Sequence, residues 1–271
     1  MFWHLCSRSI ESGKEPDAND PRYDTIMAEM KQTRHGLGVG IWVEQAYPCL
    51  VTPINLLCQH MQWPGPDTRK HLDYAIMHVV SHLNESKMKF VGHSIGLEQP
   101  ETLLDVTDPG AKAMYFHYFT DAALKIKSIT GGVGLLACGP IDLHCARQHC
   151  TAPCAHSAEQ VAGSSNLQRI IPINGVLQDV RIRLGKSTPL YMDSKTNVSV
   201  AESDAAIKRS GWTRRRALIL QEGVSQQEIK PLHVPEWANV ADAFTKYLKY
   251  AVWARHMSYL AGKKLMLLKN D

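Results

Sequence analysis

The sequence predicts an α/β protein, with a mixed five-stranded sheet flanked by helices and preceded by a mainly helical segment. Three observations carry this expectation. Leu72, Ile76, Val79, Val80 and Leu83 recur at three- and four-residue intervals, the period of an amphipathic helix. Further on, SITGGVGLLACGPIDLHC reads as a strand pair with glycine-rich turns. After Ser157, helical and strand-like stretches alternate, giving the order β-β-β-α-β-α-β-α of a mixed sheet with helices packed against it.

The elements follow in chain order. Residues 1–22, with Pro16, Asp17, Asn19, Asp20 and Pro21, are too polar to bury a core and read as a flexible arm. From Tyr23 to about Leu83 the pattern is helical. One helix covers PCLVTPINLLCQHM and is stopped by WPGP. The next starts at Asp67 or Thr68, either of which suits an N-cap. MKFVGHSIGLE and AMYFHYFT read as strands, on either side of a boundary placed near residue 108, at VTDPGAK. A helix from Ala158 to about Ile170 should break or kink just beyond, at Pro172, which has no N–H to donate. TPLYMD is a short strand, followed by a helix from about Asn197 and another through RRRALILQEGV. The strand EIKPLHV precedes a last helix, expected from about Asn239 to Leu260, and residues 263–271 form a tail.

Composition narrows the function classes. At 271 residues, 44% hydrophobic and 21% charged, the chain can bury one large core or two modest ones. No apolar run is long enough for a membrane span, and the N-terminus lacks the apolar core of a signal peptide. Seven cysteines, an odd number, fit reduced thiols better than a disulfide framework, so an intracellular protein of the cytoplasm or nucleus is expected. A net charge of +4 is compatible with a polyanionic partner.

Four acidic residues stand at the edges of apolar segments: Asp121 in FTDAALK, Glu159 in HSAEQVAG, Asp193 in PLYMDSKTN and Asp242 in HVPEWANVADAFTK. Each alone reads as a cap or a surface charge, Asp193 as an N-cap and Glu159 as a charge suited to a helix start. As an ordered set, with KSITGGVGLL between the first two, they resemble the ribonuclease H domain of copia-type LTR retrotransposon Pol polyproteins. AYPCLVTPINLLCQHM and DTRKHLDYAIMHVVSHL are similar, more weakly, to the helical connection that precedes that domain. The resemblance implies a helical remnant over 23–108 and a ribonuclease H-like domain over 109–262. It implies endonucleolytic hydrolysis of the RNA strand of an RNA/DNA hybrid by two-metal catalysis. Asp121, Glu159, Asp193 and Asp242 would then be both catalytic residues and ligands of Mg²⁺, with Mn²⁺ as a substitute. The implied partners are the hybrid and a reverse transcriptase subunit. No Tyr-x-Asp-Asp sequence occurs, so the chain carries no polymerase active-site motif.

Hard oxygen ligands suit Mg²⁺, which fits a set made only of carboxylates. For the hybrid, contacts are expected from Lys127, Ser128 and Thr130 at the glycine turn and from Arg214 and Arg216 in WTRRRALIL. His233 matches a common residue of the family motif and is placed near the site. The alternative is a catalytically inactive nucleic-acid-binding or interaction protein, favoured by Ala123 and Leu124 where the family carries an acidic residue and an aromatic. A third reading is a zinc module built on His144, Cys145, His149, Cys150, Cys154 and His156, although their spacing is not a paired C-x-x-C and buried cysteines pack well.

Overall fold

A computed structural model describes residues 13–43, 47–81, 116–136, 139–182, 184–203 and 211–260. The expected strand MKFVGHSIGLE, the boundary near residue 108 and the C-terminal tail lie outside these residues. The chain divides into two compact units, Met1–Met88 with Lys249–Ala251, and Lys89–Leu248 with the remainder.

The first unit holds α1 (Tyr23–Val43), α2 (Pro48–Cys58) and α3 (Pro66–Ser81). Its core is Leu37, Leu50, Val51, Ile54, Leu57, Leu72, Ala75 and Val79. The Ile54 side chain of α2 packs against the bare Gly40 of α1, where an added Cβ would lie 2.7 Å from Ile54 Cδ1. On α3 the inward face is Thr68, His71, Leu72, Ala75 and Val79, so Ile76 and Val80, expected on the apolar face, point outward. That helix begins at Pro66, so Asp67 and Thr68, the expected caps, lie inside its first turn, because proline suits the first helical position. Of the expected arm, residue 13 is tied down, its N–H donating to the Trp63 carbonyl at 2.8 Å.

The second unit is the expected mixed five-stranded sheet flanked by helices. Its strands are β1 (Phe116–Ala123), β2 (Ile129–Leu136), β3 (Gly139–Arg147), β4 (Thr188–Met192) and β5 (Ile229–His233), in the order β3-β2-β1-β4-β5. Strands β1, β2 and β3 are antiparallel neighbours, while β4 runs parallel to β1 and β5 parallel to β4. The central strand β1 therefore has partners on both sides and is buried over most of its length.

Side chains alternate along β1, so Phe116 and Tyr118 share one face with Leu190, Met192 and the helix residues Leu167 and Ile170. His117, Phe119 and Asp121 take the other face, where Phe119 stacks on Tyr191 with ring centroids 4.9 Å apart. The helix on the first face is α4 (Ala155–Asp179). It continues through Pro172, where a break or kink was expected. Gln168, whose carbonyl loses its helical donor, lies on the exposed face and can be hydrated. Ile170, Asn174 and Leu177 hold the helix to the core on both sides of the proline.

After β4 come α5 (Lys195–Glu202) and α6 (Gly211–Ser225). The Ser194 hydroxyl caps α5 by accepting from the Asn197 N–H. The cap therefore belongs to Ser194, and Asp193 keeps its carboxyl for other contacts. The long last helix expected from Asn239 is also absent. Residues Glu236–Ala238 and Val240–Phe244 form two 3-10 turns, and α7 spans only Tyr250–Leu260. Asn239 separates the turns. Its side-chain oxygen accepts from the Ala241 N–H and its amide donates to the Thr120 carbonyl, which pins the second turn to β1.

Candidate functional site

The four carboxyls reach one end of the parallel pair β1 and β4 from four directions. Asp121 lies near the end of β1, and Asp193 directly follows the last residue of β4. Glu159 stands on the second turn of α4, and its Oε1 accepts from the Ala122 N–H at 3.0 Å. Asp121, Glu159 and Asp193 each present a carboxyl oxygen within 4.8 Å of the other two. Asp242 belongs to the second 3-10 turn and not to a helix, which corrects its expected setting. Its carboxyl interacts with that of Asp121 and is held by the Lys246 ammonium at 2.9 Å.

Glycine makes this arrangement possible. Gly131 is the cross-strand partner of Asp121 on β2, and a Cβ there would come within 2.5 Å of Thr245 Cγ2 and 2.9 Å of the Ala241 carbonyl oxygen. The turn bearing Asp242 therefore lies directly on the bare backbone of β2. From it the Thr245 hydroxyl donates to Asp121 Oδ2. On the opposite face Asn166 of α4 donates to Thr120 Oγ1 at 2.7 Å and to the Gly131 carbonyl at 2.9 Å. Both sides of the strand end are thus fixed by hydrogen bonds.

Crowding buried acids disfavours their charged forms. Burial, followed by the neighbouring Asp121 and Asp193, pushes the Glu159 carboxyl well above the ordinary glutamate value. Asp193 rises to about 6, first through burial and then through Asp121. Asp242 is raised by burial and by Asp121, with Lys246 opposing. Burial works against the Lys246 ammonium, but Asp121, Asp242 and Glu236 outweigh it and hold the group above the ordinary lysine value.

This donor set fits a divalent cation such as Mg²⁺. All its ligand atoms are hard oxygens, and a cation would relieve their repulsion. Asp121 Oδ1 and Glu159 Oε2 are buried with no hydrogen-bonding partner among the described residues, as oxygens reserved for a ligand would be.

The other expected site residues are dispersed. Lys127 is exposed in the β1–β2 turn, whereas Ser128 and Thr130 are buried and their hydroxyls serve the fold. Ser128 contacts the backbone of Lys125, and Thr130 Oγ1 accepts from Gln148 Nε2 at 3.1 Å. Arg214 is exposed on α6, and half-buried Arg216 reaches Ser164 Oγ at 3.5 Å. His233 ends β5 opposite Met192, one residue before Asp193, with its side chain exposed. In the cysteine-histidine stretch, Cys145 is buried on β3, Cys154 lies beside Ser157 and His156 beside Gln160. Among the described residues, only Asp121, Glu159 and Asp193 bring three potential metal ligands together. Thr245 and Lys246 belong to the motif that closes on Asp242, yet the sequence reading gave neither them nor Asn239 a role in the site; their spacing, three and four residues after Asp242, was the available signal.

No family profile matches the chain, and no curated protein matches it. Solved structures similar to it include ribonuclease H1 from Halobacterium salinarum, at 17% identity and a TM-score of 0.38, covering 48% of this chain and 94% of that one. Another is the N-terminal ribonuclease H domain of a Mycobacterium tuberculosis protein, at 15% and 0.40, covering 55% and 98%. A ribonuclease H1 isolated from compost by metagenomics, in complex with an RNA/DNA hybrid, gives 16% and 0.39, covering 48% and 93%.

Proposed function

We propose that the sheet-bearing unit is a metal-dependent nuclease that hydrolyses the RNA strand of RNA/DNA hybrids. The observation that supports this most is the convergence of Asp121, Glu159 and Asp193 within 4.8 Å, with Asp242 alongside, from four elements far apart in sequence. Caps and surface charges have no reason to meet, and gathering buried carboxyls costs stability that a bound cation returns. Mg²⁺ would be held by Asp121, Glu159 and Asp193, with Asp242 at its border. When bound, such an ion supplies activation of the attacking water and stabilisation of the leaving oxygen.

The chain's own residues position that chemistry. The Thr245 hydroxyl and the Ala122 N–H orient Asp121 and Glu159 respectively. Lys127, Arg214 and Arg215 are exposed cations available to phosphates, whereas recognition of the hybrid by shape needs no base contact. The order and flanks of the four acids support descent from a copia-type retrotransposon Pol polyprotein, in which the unit would work with a reverse transcriptase subunit.

Cleavage of a labelled RNA/DNA hybrid with Mg²⁺ or Mn²⁺ tests the proposal, run beside Asp121→Asn. Cleavage by the natural chain and its loss in the variant is the expected result. Folded protein that binds the hybrid in a salt-sensitive way without cutting would refute the nuclease and favour the inactive binding protein, for which Ala123 and Leu124 speak.

A further inference from the structure

We propose that Lys246 is a resident cation that fills the second cation position of the carboxylate cluster, so that the site takes one divalent ion. This rests on the reading of Asp121, Glu159 and Asp193 as a metal site and changes its stoichiometry. Two-metal sites use a bridging carboxylate between ions about 4 Å apart. Asp121 belongs to the converging group with Glu159 and Asp193, and it is also the acid that Lys246 approaches together with Asp242. Its two oxygens differ. Oδ1 is buried without a hydrogen-bonding partner among the described residues, whereas Oδ2 accepts from Thr245 and lies 4.0 Å from Lys246 Nζ.

The same ammonium is 2.9 Å from Asp242 Oδ1 and 3.9 Å from Glu236 Oε1. It thus spans Asp121 and Asp242, the two acids between which a second ion would lie. Asp242 correspondingly stands outside the group of three acids whose oxygens converge. The lysine is also held in place, since its N–H and that of Thr245 both donate to the Asp242 carbonyl at 3.2 Å. Its side chain is 36% exposed, so it closes the site at the surface.

Mn²⁺ titration of the full chain, followed by calorimetry and by electron paramagnetic resonance of free Mn²⁺, tests this without reference to activity. One ion per chain is expected for the natural protein and for Lys246→Arg. Two are expected for Lys246→Met, and adding Asp242→Asn to that variant should return the count to one. Two ions on the natural chain would overturn the role of Lys246 while leaving the metal site intact. A single ion on folded Lys246→Met would overturn it as well. No Mn²⁺ bound by the natural chain would remove the metal site itself and the inference with it. The count on the natural chain decides between one ion and two even if a variant fails to fold.

Discussion

Asp193→Asn should stabilise the metal-free protein at neutral pH and weaken it once a divalent ion is present. Asp193 has its pKa raised from 3.8 to about 6, so between these values the folded state holds a proton that the unfolded chain has released. Stability therefore falls as pH rises through this window, and the full cost stands above pH 6. The whole shift corresponds to about 3 kcal/mol; the side chain is partly exposed, and solvent screening reduces the cost to about 1–2 kcal/mol. At roughly 2–4 °C per kcal/mol, the variant should melt about 2–8 °C above the natural protein at pH 7.5 in EDTA. At pH 4 the two should nearly coincide. The comparison must be made between variants, because burial holds His117 at about 3 and His144 and His256 at about 4. Those depressed values make stability rise with pH up to the ordinary histidine range, opposite in sign to the acids and over the same window. Saturating Mg²⁺ should reverse the order, since it stabilises only the chain with the complete ligand set. Melting curves at both pH values, with EDTA and with Mg²⁺, provide the check. A variant less stable than the natural protein at pH 7.5 in EDTA would refute the electrostatic reasoning.

Gly131→Ala should lift the turn bearing Asp242 off β2, because the new methyl would meet the Ala241 carbonyl at 2.9 Å as well as Thr245. Divalent affinity should drop by about 10–100-fold, as for other residues that support ligands from behind, and Mn²⁺ titration of the folded variant measures it. Pro172→Ala should raise stability by about 1–3 kcal/mol, since α4 already continues through the position and the alanine restores a donor; a lower denaturation midpoint would contradict the continuous helix. Arg169→Ala should cost about 2–3 kcal/mol, because Asp142 would keep only the Tyr118 hydroxyl, which donates to it at 2.6 Å. Equilibrium denaturation with an unchanged midpoint would show that the pair is not a structural tie.

Much of the sheet was legible because its signals are local. The glycine-rich runs of β2 and β3 and the apolar stretches TPLYM and FHYFT carry their own β pattern. The failures have tertiary causes. Pro172 breaks an isolated helix, but burial of Ile170 on one side and Asn174 and Leu177 on the other keeps α4 continuous. Val240, Phe244 and Leu248 repeat at a helical interval, so NVADAFTKYL reads as a helix from its own sequence. The hydrogen bond from Asn239 to Thr120, 119 positions away, cannot be seen there. Three of the four acids converge as their order suggested, whereas Ser128 and Thr130 looked accessible only because burial has no local signature in a glycine turn.

The 3-10 turn that replaced the expected helix explains why Lys246 was overlooked. In an α-helix a lysine four residues after an aspartate is an ordinary surface pair worth a few tenths of a kcal/mol. In a 3-10 turn residues i and i+3 eclipse, so Asp242 and Thr245 project to the same side, and here that side faces Asp121. Lys246 then follows directly after Thr245, at the end of the turn, and its ammonium comes between Asp242 and Asp121 instead of trailing into solvent. Asn239, which pins the turn to β1, and Gly131, which lets it lie on β2, thereby convert a surface ion pair into part of the carboxylate site. A chain in which this segment became helical would keep all four acids and lose the counter-charge between two of them.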